Sequence, residues 1–232
     1  MIAAIVNALA VVLCSGLGLA LGGRLKNTHV QTVVAGLGIC TTVIGMSGAI
    51  GTSNILIVIL CLVLGTFLGE LLKIEQRLDL LGEWLKTHLA KQSSSRFTEG
   101  FVTASLLFCV GSMAILGSFD AGIRRDYTTI FAKTAMDSVM AVTFAATMGV
   151  GVLFSGGAIL VYQGALTLLA GLVEPYLSAQ VITEISAVGG VILIATGINI
   201  LGLSHQRIRV GNMLPAMVLP ALYFYLIEIL PF

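Results

Sequence analysis

Apolar residues run along this chain in long unbroken stretches, not in the one-sided or alternating patterns of soluble helices and strands. Eight stretches approach the roughly 20 mostly apolar residues that a bilayer-spanning helix needs. They are Ile2–Gly22, Val30–Ile50, Ile55–Leu72, Thr98–Ser118, Ile130–Phe154, Ala158–Val173, Val181–Leu203 and Met213–Leu230. The sixth is the shortest. The pattern predicts an all-α polytopic membrane bundle of about eight transmembrane helices. Residues 1–232 read as one integral membrane domain with no separate soluble domain.

One long polar stretch interrupts the series, from Lys73 to Arg96. Within it Ile74, Leu78, Leu81, Leu85 and Leu89 recur at three- and four-residue steps, while Glu75, Asp79, Glu83 and Lys86 fill other faces. That is the pattern of an amphipathic helix lying on the membrane surface. Trp84, the one tryptophan of the chain, suits the interface. Ser93–Ser95 reads as a flexible link.

Composition agrees with this pattern. The chain is 57% hydrophobic and 10% charged, against about 25% charge in an ordinary soluble domain. A water-soluble fold of this size would lack polar residues to cover its surface, a need that lipid removes. The net charge of +1 gives no reason to expect a nucleic acid partner. The 27 glycines suit close helix packing in lipid. Cys14, Cys40, Cys61 and Cys109 sit inside apolar runs without metal-ligand spacing and read as small packing residues. Arg24 and Lys26 follow the first apolar run instead of preceding it. That reverses the order of a cleaved signal peptide, so the run reads as a retained helix.

Basic residues set the orientation. With eight crossings, nine lie on one side: Arg24, Lys26, Lys73, Arg77, Lys86, Lys91, Arg96, Arg207 and Arg209. Three lie on the other: Arg124, Arg125 and Lys133. The richer side is expected to be cytoplasmic, with both termini outside. If Gly111–Ser118 dips into the membrane and returns, seven crossings plus a re-entrant segment result. Both topologies stay open.

Two parts of the chain echo each other. Ala35-x-x-Gly38 followed by Gly45 matches Ala187-x-x-Gly190 followed by Gly197 at identical spacing. The next helix opens at Asn54 and closes at Glu70 in one copy, and opens at Asn212 and closes at Glu228 in the other, a separation of sixteen each time. Val6-Asn7-Ala8 aligns loosely with Tyr162-Gln163-Gly164. Helices 1–3 and 6–8 are therefore expected to form a 3+3 repeat around a central helix pair. Helices 2 and 7 are five crossings apart, so the repeat is inverted, as in many alternating-access transporters.

Ionisable residues inside a membrane are functional hypotheses by default. Asp137 lies two turns into the fifth stretch, with Lys133 one turn earlier on the same face. It reads either as a cation or proton site or as half of an ion pair that only orients its helix. Gly111-Ser112 and Gly117-Ser118 repeat a pair that weakens helix, so a broken helix there would expose backbone groups to an ion or solute. Close packing without a break is the alternative. Asn7, Gln163 and Asn199 could line a polar path or bond across helices, as could Thr41, Thr42 and Ser47. Asn54 and Asn212 read as helix caps. Asn212-Met-Leu-Pro215 also reads as a second non-helical opening. Glu184 reads as an acid at a helix start. Glu70 and Glu228 are expected to reach the interface. Asp120 and Asp126 read as solvated loop charges beside Arg124 and Arg125, and His29, His88 and His205 as surface residues. No phosphate-binding Gly-Lys loop, metalloprotease His pair or nucleophile–base constellation emerges, so neither an enzyme nor a resident metal or cofactor is expected.

Phe108-Cys-Val-Gly-Ser-Met-Ala-Ile-Leu-Gly-Ser118, Ala132-Lys-Thr-Ala-Met-Asp137, Tyr162-Gln-Gly, Ala187-Val-Gly-Gly190 and Asn212-Met-Leu-Pro215 resemble the bacterial membrane family named domain of unknown function 554, with its YqgA- and YdfK-like members. The resemblance covers essentially the whole chain. It implies a bacterial cytoplasmic (inner) membrane protein and carries no established activity. Secondary transport of a small solute or ion is the leading expectation. A passive channel and a non-transporting scaffold or regulator are the alternatives. Partners are the lipid bilayer and an unknown small solute or ion, with self-association left open.

Overall fold

A computed structural model describes residues 1–22, 27–89, 96–110, 112–173 and 178–229. Among them the regular structure is entirely helical. The elements in order are α1 (Ile2–Gly22), α2 (Asn27–Ile50), α3 (Ile55–Leu72), α4 (Ile74–Leu89), α5 (Phe97–Cys109), α6 (Ser112–Phe119), a π-helical turn (Asp120–Arg124), α7 (Thr128–Met148), α8 (Gly151–Val173), α9 (Ala179–Leu201), a 3-10 helix (Val210–Met217) and α10 (Leu219–Ile229).

Among the described residues six segments are long and apolar enough to cross a membrane: Ile2–Gly22, Gln31–Ile50, Ile55–Leu72, Gly151–Leu172, Ala179–Leu201 and Val210–Ile227. The pair Phe97–Cys109 and Met113–Arg124, bent by 59°, brings the number to as many as seven. The remaining expected stretch is α7. It has 21 residues, but Lys133, Asp137 and five threonines dilute its apolar character. Large apolar side chains such as Leu9, Leu13 and Leu17 on α1 are more than half exposed and form a stripe suited to lipid tails.

The ends of α1 and α3 fall where the apolar runs end. Asn54 caps α3 through its side chain, accepting the Leu56 N–H at 3.0 Å. The expected fifth and sixth stretches need correction. The division lies at Gly149 (φ 86), and α8 starts at Gly151, well before Ala158. Gly149 to Phe154 is apolar throughout, so hydropathy does not mark this break, and the positive φ there is the kind that glycine tolerates. The sixth stretch is consequently not short.

The helices group into two compact units. The first comprises Met1–Leu37, Leu78–Cys109 and Met113–Gly171. Within it α1 and α7 run parallel, with Gly18 against the Val142 backbone and Gly22 against Ala146. Helix α8 is antiparallel to α1, with Gly156 over Ala8 and Val12 and Gly164 beside Met1. The bent pair α5–α6 is antiparallel to α7. Gly100 meets Met148 at one end and Gly117 meets Ile130 at the other. Asp126 leads into α7 by accepting the N–H and hydroxyl of Thr128 at 2.9 and 2.7 Å. These bonds, led by the backbone N–H, hold its carboxyl below the usual carboxylate range.

The second unit comprises Gly38–Arg77, Val110–Ser112 and Leu172–Phe232. In it the α2 segment and α9 run antiparallel, with Gly45 against Gly190 and Gly38 against Gly197. Helix α3 runs antiparallel to the 3-10 helix, with Gly65 against Ala216 and Gly69 against the Asn212 backbone. Pro215 sits inside that 3-10 helix. It prevents a regular α-helical start, so the last span begins in tighter winding.

A Cβ at Gly190 would run into the Gly45 carbonyl and the Ala49 amide, both backbone atoms, whereas one at Gly36 meets nothing within 4 Å. Gly190→Leu is therefore expected to lose about 1–3 kcal/mol or more through overpacking. Gly36→Ala should hold or gain stability by about 1 kcal/mol through helix propensity. Thermal unfolding in detergent reads both, and equal midpoints would contradict the packing assignment.

Candidate functional site

The buried face of α1 carries Ala3, Ala4, Asn7, Ala8, Val11, Ser15 and Gly18, so small side chains admit the neighbouring backbones, and Asn7 and Ser15 are its polar members. Its Nδ2 donates to Asp137 Oδ2 on α7 at 3.2 Å and to Gln163 Oε1 on α8 at 3.1 Å. Lys133, one turn before Asp137, approaches both carboxylate oxygens, at 2.8 Å (Oδ1) and 2.6 Å (Oδ2). The ion-pair side chains are 8% and 6% exposed, and Asn7 and Gln163 are fully buried. Three helices of the first unit thus close a polar cluster inside apolar surroundings.

The cluster is charge-balanced, since one ammonium faces one carboxylate. An unmatched charge in this setting would be strongly disfavoured. Hydrogen bonding is not balanced in the same way. Asn7 Oδ1 and Gln163 Nε2 are buried without a protein partner, as are Ser15 Oγ on α1 and Ser105 Oγ on α5. Cys109, one turn beyond Ser105, lies within electrostatic range of Lys133 and Asp137, and Tyr162 lies within range of Cys109. Among the described residues no group of three or more His, Cys, Asp or Glu could hold a metal ion.

Of the residues expected from sequence, Asp137, Lys133, Asn7 and Gln163 come together here. Gly111 lies outside the described residues, as do the side chains of Ser112, His29 and Glu228. Gly117 packs on the Ile130 backbone, and Ser118 returns its hydroxyl to the Ala114 carbonyl at 2.7 Å. The helix therefore continues through the second Gly-Ser pair, and the bend lies between Cys109 and Met113. Asn199 and Asn212 belong to the second unit. Both ends of the Asn199 amide bond Ile208, at 2.8 Å to its carbonyl and 2.9 Å from its N–H. Asn199 therefore staples the Gly202–Arg209 loop. Asn212 is not a cap. Its Oδ1 accepts the Glu75 N–H at 2.7 Å.

Two carboxylates take roles the sequence reading did not give them. Glu75, read as solvent-facing on the amphipathic helix, is buried. It accepts the Gly211 N–H at 2.6 Å and lies 3.6 Å from Arg207. Lys73, the left-handed residue (φ 52) between α3 and α4, sets the change of direction just before Glu75, and φ is not visible in sequence. Glu184 is more than a helix-start charge. Fully buried, it accepts the Thr52 hydroxyl at 2.5 Å and the Ser53 N–H and hydroxyl at 2.8 and 2.7 Å, and so clamps the α2–α3 turn. Glu70 pairs with Arg209 at 3.0 Å and Asp120 with Arg124 at 3.0 Å. Trp84 is half-exposed and stacks on His88.

Apolar spans, lipid-suited stripes and a polar cluster enclosed by helices define a polytopic helical membrane protein. The chain belongs to the family described as Protein of unknown function (DUF554), whose model matches residues 2–225. It is similar to the "Uncharacterized membrane protein YdfK" of Bacillus subtilis (strain 168), 31% identical over 170 residues, covering 73% of this chain and 70% of the relative. It is also similar to the "Uncharacterized protein YqgA" of Escherichia coli (strain K12), 29% identical over 218 residues and covering 92% of each. No solved structure matches the chain significantly.

Removing one partner of a buried ion pair leaves an uncompensated charge, while replacing both by apolar groups is often neutral. Lys133→Met is expected to lose about 3–5 kcal/mol. The double variant Lys133→Met/Asp137→Leu should recover most of that loss. A double variant no more stable than the single one, by thermal unfolding in detergent, would show that the two charges do not balance each other.

Proposed function

We propose that this protein is a secondary transporter of a small solute or ion across the bacterial cytoplasmic membrane, not an enzyme. One observation carries the reading: a carboxylate, an ammonium and two amides are buried together among apolar helices, and two of their polar atoms have no protein partner. Packing alone would favour apolar side chains at such a position. Polar groups inside a membrane commonly mark a solute or ion path.

Helix contacts support an inverted 3+3 repeat. Gly38 and Gly190 are repeat mates, as are Gly45 and Gly197. The contacts observed are Gly45 with Gly190 and Gly38 with Gly197. Exchanging the two copies turns each of these contacts into the other, which is what a two-fold axis between antiparallel helices requires. Asn7 and Gln163 are also repeat mates, and they bond each other, as residues beside such an axis do. A solute site near the repeat axis is the usual arrangement in inverted-repeat transporters.

The same contacts favour eight crossings over seven. The bent pair α5–α6 starts beside the end of α7 and finishes beside its beginning, so it covers the length of a 21-residue helix. A re-entrant hairpin would return to the side it left. The parallel course of α1 and α7 also requires an odd number of crossings between them. This reading keeps both termini outside and the basic loops in the cytoplasm. A reporter fused to the C-terminus is expected to respond from outside, and a cytoplasmic signal would contradict eight crossings.

The competing reading is a structural ion pair in a non-transporting scaffold. The short, nearly inaccessible Lys133–Asp137 contact favours it. A passive channel differs in that its flux needs no proton or sodium gradient. The readings separate in proteoliposomes offered a panel of radiolabelled small solutes under an imposed pH or sodium gradient. Asp137→Asn leaves the Lys133 ammonium unpaired and should lower the thermal midpoint; assayed below that midpoint, where the protein stays folded, it is expected to reduce gradient-driven uptake more than about tenfold, the worth of one charge-assisted contact. Unchanged uptake would remove Asp137 from the mechanism.

A further inference from the structure

The atoms left unpaired on Asn7 and Gln163 are not interchangeable, because the carboxylate fixes them. An ionised carboxylate only accepts hydrogen bonds. Asp137 Oδ2 therefore obliges Asn7 to present its NH2, and that NH2 also reaches Gln163 Oε1. The amide orientation is set in sequence from Asp137 through Asn7 to Gln163. What remains is one acceptor, Asn7 Oδ1, and one donor, Gln163 Nε2, each fully buried and without a protein partner. Charge is already balanced by Lys133. A net charge brought alongside would have no counter-charge in the cluster and would carry its full desolvation cost.

We infer that Asn7 and Gln163 form a subsite for a small uncharged molecule that offers an adjacent donor and acceptor, the edge of a carboxamide or a urea. This deepens the transport proposal and rests on it. The ligand's N–H donates to Asn7 Oδ1, and its carbonyl accepts from Gln163 Nε2. The titratable groups near the carboxylate are Lys133 on its own helix and Cys109 on α5, with Tyr162 on α8 near Cys109. The neighbouring face of α1 brings Asn7. With Asp137 ionised the donor and acceptor keep these positions. When Asp137 is neutral its side chain can donate as well as accept, and the fixed polarity of the amide chain is lost.

The test uses three probes of nearly equal size: acetamide, acetate and guanidinium. The full chain, labelled with ¹⁵N-glutamine, is placed in lipid nanodiscs, and the Gln163 side-chain signal is identified by its loss in Gln163→Leu. Acetamide is expected to shift this signal saturably, whereas acetate and guanidinium leave it in place. Asn7→Leu and Asp137→Asn should each weaken the acetamide response about tenfold, the worth of one buried hydrogen bond. A response to acetate or guanidinium but not to acetamide would overturn the subsite, and so would no response to any of the three. Because the wild-type selectivity needs no variant, poor folding of a substitution leaves that comparison intact. Acetamide flux into proteoliposomes, measured above protein-free vesicles, tests the underlying reading separately. A Gln163 shift without flux would sink transport and leave the binding site standing. Flux without a Gln163 shift would sink the subsite and leave transport standing.

Discussion

A carboxylate enclosed by apolar helices has to be answered by its neighbours, and here the answer organises three of them. Lys133 supplies the counter-charge from one turn earlier on α7, so α7 carries a neutral pair and not a bare anion. Asn7 adds a donor from α1, and Gln163 accepts from Asn7 across α8. Each bond is modest in a membrane, where polar contacts between helices average well under 2 kcal/mol. Their value is directional. They select which faces of α1, α7 and α8 meet, a choice that Leu and Val alone would leave degenerate.

Glycine supplies the complementary constraint, closeness. Polar side chains as short as Asn reach across an interface only if the backbones approach, and Gly18 and Gly22 on α1 allow this against α7. In the second unit the glycines of α2 and α9 bring backbone onto backbone, and the Thr42 hydroxyl beside Gly197 turns back onto the Gly38 carbonyl of its own helix. There polar residues work at the ends. Glu184 holds the turn before α3, Asn199 holds the loop after α9, and Glu75 with Asn212 joins the start of α4 to the 3-10 helix. The two units thus solve helix association differently, one by a buried polar cluster and the other by small residues with capped ends.

Much of this was legible in the chain, and the gaps have physical causes. Apolar runs located α1 and α3 to the residue, and α3 lies between the Asn54 cap and the left-handed Lys73. The break at Gly149 was invisible, because the flanking residues are as apolar as the helices and only a backbone angle distinguishes them. The four-residue spacing of Lys133 and Asp137 offered their pairing as one of two readings. The contact of Asn7 with Gln163 was not foreseen, although both had been aligned as repeat mates, because alignment gives equivalence and not adjacency. Glu75 was misread because an amphipathic pattern assigns acids to water. It does not register that a neighbouring segment offers an uncapped N–H, here that of Gly211.

The 3-10 winding of Val210–Met217 also changes how far the last span reaches. Eight residues wound this way climb about 16 Å, where an α-helix would climb about 12 Å. The apolar segment Val210–Ile227 has 18 residues and would measure about 27 Å as continuous α-helix, short of a hydrocarbon layer about 30 Å thick. Tighter coiling over its first half extends it to about 31 Å. Pro215 thereby adjusts length: it lets an economical stretch of sequence match the thickness of the membrane without thinning the lipid around it.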